Sequence, residues 1–339
     1  MSGNGKAAME ALAALSNQLC GANPDLPQVL VRWWPERLPS ASCAMGESGA
    51  LIRVNLGMLT HLRLLIHLLC SCLGSITGDE ARWGEDRLTV DQARGEYLAM
   101  IDEFVGGEPV PLYKTVLVHW GKRERFRRVA TLAGLAYVIA HELGHADLLQ
   151  AASATPGPFE VSAAEPEMIS HEAETSADKA AFRLLRALAP LDQDEDLAFA
   201  YAAGAASALA IQACLFWFKA SHSDETLAWT HPVPDLRLGM ACLALGDPEE
   251  ADRLASPTPR GASSSTTNKR QARIAALKLW LDTVTGVSLF REAALARDLR
   301  GRGLSPAQLM TLYVAYGIPV PDKGVSHVEE RQAGEARSL

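Results

Sequence analysis

His141 and His145 frame Glu142, Leu143 and Gly144 in an H-E-x-x-H pattern. On a helix the two histidines stand one turn apart and share a face. That is the geometry by which two imidazoles hold one tetrahedral zinc ion at about 2.0 to 2.1 Å each, with Glu142 beside them as a candidate general base toward water. Two histidines make an incomplete site, because a catalytic zinc takes a third protein ligand and keeps a fourth position open.

The best candidate for that third ligand is Glu174, in the run His171-Glu172-Ala173-Glu174-Thr175-Ser176-Ala177-Asp178. Glu174 and Asp178 stand one helical turn apart and face the same way. A carboxylate at the first position can bind a metal while the second accepts an N–H bond from a ligating histidine, fixing its tautomer and ring orientation. Without a two-histidine face to serve, both acids would be read as solvated groups on an amphipathic helix. His171, three residues before Glu174 and near the same face, is the rival ligand, whereas Glu172 points almost the opposite way.

The ordered set His141-Glu142-x-x-His145, Glu174-x-x-Ala177-Asp178 and Thr230-His231-Pro232, with Arg237 five residues on, resembles the gluzincin metallopeptidases of the HtpX and CAAX-prenyl-protease type. The resemblance covers these short motifs alone. It implies a zincin-like core in which His141, His145 and Glu174 bind zinc, Glu142 activates water, Asp178 orients a ligand, and His231 lines the cleft. In that role His231 could donate to the oxyanion of a tetrahedral intermediate. The cytosolic phage-exclusion peptidases, which also use H-E-x-x-H, offer a second likeness through motif and solubility. A zinc-stabilised regulatory or binding protein without turnover is the rival from another class; an intact Glu142 weighs against it.

These residues must be positioned by helices. Val129, Leu132, Leu135, Ala136, Val138 and Ile139 make the run before His141 apolar on nearly all sides, so a helix buried except at the ligands is expected. A second helix is expected from about 168 to 189, stopped by Pro190. Upstream, the alternation of Ala50–Leu56 predicts a strand and the leucine-rich segment after it a helix. The proline-broken stretch carrying Trp33 and Trp34 predicts loop or short strand. Thr89-Val90-Asp91-Gln92 is a capping box for a further helix ending at Gly106-Gly107. Lys114–Trp120 is β-branched and short, a candidate strand beside the cleft. The run Lys122–Arg128 reads as a solvated first turn of the H-E-x-x-H helix.

A formal charge of −8 argues against a nucleic-acid partner, and the peptidase resemblance implies a protein or peptide substrate. Residues 1–20 form an alanine-rich opening with no charged segment leading into an apolar core, so a cytoplasmic location with free thiols at its six cysteines is expected. Leu197–Phe218 is 22 residues without a charge, long enough to cross a bilayer, but nine are alanine. A close-packed core helix is the favoured reading, and a membrane-associated form would use this segment.

Together these features predict an α+β protein, mostly α-helical, in which a zinc metallopeptidase domain spans residues 1–255. The Ser-, Thr- and Pro-rich stretch 256–270 would be a linker or long loop, 271–320 a C-terminal helical region, and 321–339 a polar, disordered tail. The expected function is zinc-dependent endopeptidase activity.

Overall fold

The computed structural model describes residues 29–46, 49–105, 121–154, 166–188, 194–222, 265–291 and 294. Strands β1 (Val29–Trp34), β2 (Ala41–Gly46) and β3 (Gly49–Asn55) form a sheet of order β1-β3-β2, with β1 parallel and β2 antiparallel to β3. The tryptophan-bearing stretch is therefore a strand, in which exposure alternates residue by residue. The helices follow in order: α1 (Leu56–Ser71), α2 (Leu73–Thr77), α3 (Glu80–Trp83), α4 (Val90–Val105), α5 (Lys122–Ala154), α6 (Pro166–Leu188), α7 (Glu195–His222) and α8 (Ser265–Val284). The described residues thus bear out a mostly helical α+β architecture.

The chain passes from β3 into α1 without a loop, and Asn55 holds the junction. Its side-chain amide donates to Ser40 Oγ at 2.8 Å and to Glu36 Oε2 at 3.2 Å, drawing the β1–β2 connection over the start of the helix. The approach is so close that a Cβ on Gly57 would sit 1.5 Å from the carbonyl oxygen of Arg37. The capping box before α4 forms in both directions: Gln92 N–H donates to Thr89 Oγ1 and Thr89 N–H to Gln92 Oε1.

Two apolar helices meet at α5 and α7. A Cβ on Gly204 would lie 2.1 Å from the carbonyl oxygen of Ala130, so the backbones touch and only glycine fits. The alanine content of α7 has the same cause, since small side chains let neighbouring helices approach. By length and composition Glu195–Lys219 is able to cross a membrane, yet 78% of its apolar window is buried within the protein.

The start of α5 departs from the expected solvated turn. Arg123 is buried, and its guanidinium donates to the carbonyl oxygens of Trp83, Cys70, Gly84 and Glu85 at 2.6 to 3.0 Å. Carbonyls left without partners where α1 and α3 end need donors, and a guanidinium brings five. Arg127 and Arg128 instead pair with Glu124, which holds that carboxyl at about 2, well below its ordinary range.

Two compact units divide the chain: Met1–Leu215 with Trp229–Val287, and Phe216–Ala228 with Ser288–Leu339. Within the first, α8 packs on α4 and α2. It includes residues 265–270 of the expected linker and 271–284 of the expected C-terminal region. Residues 256–264 and the tail 321–339 lie outside the described residues, as do the alanine-rich opening and the strand expected at 114–120.

Candidate metal centre

Two packed helices supply every described group of the site. α5 is buried without interruption from Ala133 to Gly144, with Leu132 exposed just before, and it carries His141, Glu142 and His145. α6 lies along it and carries Glu174 and Asp178. The spacing within each motif explains how closely they approach. A Cβ on Gly144, inside H-E-x-G-H, would lie 2.7 Å from Ala177 Cα and 3.1 Å from its carbonyl oxygen, inside E-x-x-A-D. Each motif therefore contributes a small residue to the crossing and ligand-type side chains on either side of it.

The groups converge on one point. His141 Nε2 and His145 Nε2 are 3.1 Å apart, and Glu174 brings Oε2 to 3.3 Å from the first and Oε1 to 3.3 Å from the second. The imidazole planes stand nearly perpendicular, at 89°. Asp178 Oδ1 lies 2.8 Å from His141 Nδ1. A carboxylate there makes Nδ1 the donor, which leaves the lone pair of Nε2 directed at the Glu174 carboxylate and at His145. Acceptors gathered in this way can be met by a shared proton or by a cation among them.

Distances decide how well a metal ion would fit. Three donors held by one tetrahedral ion at about 2.0 to 2.1 Å each stand about 3.3 Å from one another. The two imidazole nitrogens at 3.1 Å stand near that spacing, and Glu174 brings a different oxygen to 3.3 Å from each of them. The group His141, His145 and Glu174, with its ligand atoms all within 4.8 Å of one another, can hold a metal ion. The surroundings suit a partly opened site: His141 and Asp178 are buried, while the His145 side chain is 22% exposed.

Glu142 is buried on α5 at 9% exposure, beside strand β2. Burial first, and then the negative charge of Glu142, push the Cys43 thiol of β2 up to about 11, so it stays a neutral thiol near that carboxylate. Among the described residues β2 ends the sheet order and packs on α5. His231 and Arg237 lie outside the described residues. His171 and Glu172 lie in α6, with side chains outside them.

Tyr137 is a site neighbour that the motif reading passed over. It stands one turn before His141 on α5, is fully buried, and donates its hydroxyl to Asp178 Oδ1 at 2.5 Å. The i, i+4 spacing was the available signal.

No protein-family model, curated protein or solved structure matches this chain. Its residues alone carry the reading of the site.

The helix crossing makes a prediction in which two effects oppose each other. Helix propensity favours alanine over glycine by about 1 kcal/mol. At position 144 the added methyl meets backbone, and overpacking of that kind costs about 1 to 3 kcal/mol. Gly144→Ala should therefore destabilise the protein and weaken metal binding, whereas Gly95→Ala at an exposed position of α4, where a Cβ meets nothing within 4 Å, should stabilise it. Thermal unfolding with zinc titration checks both. A Gly144→Ala protein more stable than wild type would show that the crossing is looser than described.

Proposed function

We propose that this chain is a zinc-dependent endopeptidase of the gluzincin type, akin to the HtpX and CAAX-prenyl-protease group, hydrolysing peptide bonds of a protein substrate. The observation that carries the reading is the meeting of His141, His145 and Glu174 at tetrahedral-ligand spacing, with Asp178 set on the far nitrogen of His141. Two imidazoles and one carboxylate make the donor set of a hydrolytic zinc site and leave a fourth position for the reaction. Zinc, when bound, supplies a Lewis acid that polarises a carbonyl and brings the pKa of water toward about 7.

The remaining work belongs to the side chains. Glu142, adjacent to His141 and screened by β2, takes the proton of the attacking water and returns it to the leaving amine. Asp178 keeps His141 in the tautomer that presents Nε2, and the reading gives His231 the donor role toward the oxyanion. β2, at the edge of the sheet among the described residues, offers backbone groups with which an extended substrate could pair. The reading keeps a cytoplasmic setting, in which Cys43, Cys70, Cys72 and Cys214, free among the described residues, stay thiols. The burial of α7 supports a core helix there in preference to a membrane span.

Metal removal tests the proposal. Purified protein should contain one zinc per chain and cleave members of a randomised peptide library. Chelation should stop cleavage, and added zinc should restore it. A zinc-loaded protein that cuts no peptide, and no protein in a cell lysate, would overturn the peptidase reading in favour of a zinc-stabilised binding protein.

A further inference from the structure

The geometry points to Tyr137 as a positioning residue for the metal site, acting through Asp178. This rests on the zinc reading above. The phenol oxygen donates to the same carboxylate oxygen that faces His141 Nδ1, at 2.5 Å from Tyr137 and 2.8 Å from His141. Tyr137 and His141 are one turn apart on α5, just as Glu174 and Asp178 are on α6. Asp178 is thus clasped by two donors of the neighbouring helix, and two distances fix its place along α5. Because Glu174 precedes Asp178 by one turn on the same face, fixing Asp178 also fixes where Glu174 arrives, at 3.3 Å from both imidazole Nε2 atoms.

The phenol ring is held from the same side. Phe182, one turn beyond Asp178 on α6, packs on it with ring centroids 5.4 Å apart. A phenylalanine at 137 would fill that space as well, so the apolar packing does not account for the hydroxyl. A buried hydroxyl costs free energy unless it is hydrogen-bonded, and its partner here is the carboxylate that serves His141. The role assigned to the hydroxyl is to set the register of α6 against α5 at the ligands, in addition to satisfying Asp178.

The test is zinc affinity by chelator competition in Tyr137→Phe, Asp178→Ala and the double variant, with the cobalt(II) absorption spectrum as a second readout. Tyr137→Phe should bind zinc about tenfold more weakly, at the low end of what outer partners of metal ligands contribute, while keeping its fold by circular dichroism. In the Asp178→Ala background the same change should have no further effect, because Tyr137 reaches the metal only through Asp178. The cobalt spectrum of Tyr137→Phe should shift in its ligand-field bands, since the ligands are displaced; this readout stands even where Asp178→Ala does not fold. Unchanged affinity and spectrum in Tyr137→Phe would overturn the assignment, as would an equal loss with and without Asp178. A wild-type protein that binds no zinc would instead overturn the metal reading itself.

Discussion

Glu142→Gln should retain its zinc and its fold and lose about 10² to 10⁴-fold in peptide hydrolysis. A positioned general base contributes that much, and glutamine keeps the shape of the side chain without being able to take a proton. Glu142 lies one residue from His141 and next to β2, at 9% exposure, so the substitution puts an uncharged group of equal size into an already packed position. Its effect should therefore fall on turnover and leave metal content alone. Zinc analysis, thermal unfolding and cleavage of a randomised peptide library, run on the same preparations, separate these outcomes. Near-normal cleavage by the variant would refute Glu142 as the base. Loss of zinc along with activity would show that Glu142 supports the metal instead.

What could be read from the sequence follows from how local each feature is. H-E-x-x-H and E-x-x-A-D set their ligands on single helix faces by backbone geometry alone, so the spacings predict His141 beside His145 and Glu174 beside Asp178. The capping box at Thr89 and Gln92 is equally local, and it forms as read. The ligand set required α5 and α6 to meet, but how they meet was not visible, because Gly144 and Ala177 look like spacers inside their motifs until the two helices are laid together. Arg123 misled for a related reason. A charged run reads as solvated, and nothing nearby in the chain shows that carbonyls at Cys70, Trp83, Gly84 and Glu85 await a donor. β2, with the sequence ASCAMG, has little intrinsic strand preference; pairing with β3 and packing on α5 make it a strand.

The remaining prediction concerns the ligands themselves, where the largest losses of metal are expected. On the proposed reading each of His141, His145 and Glu174 would supply one of three protein bonds, and they stand 3.1 to 3.3 Å apart. His141→Ala and His145→Ala should each abolish stoichiometric zinc, and Glu174→Ala should weaken binding severely. Asp178→Asn should be milder, about 10 to 100-fold, because it removes the partner of a ligand and leaves the ligand in place. The same helix supplies its own controls. By helical spacing alone Glu172 is expected off the face of Glu174 and should tolerate alanine, whereas His171, three residues before Glu174, is the expected competitor for the role. Chelator competition on these variants ranks them. A larger loss at His171 or Glu172 than at Glu174 would mean that the carboxylate at 3.3 Å from both imidazoles is a hydrogen-bonding neighbour and the third ligand lies elsewhere on α6. The gluzincin reading would fall with it, while a metal held by His141 and His145 would stand.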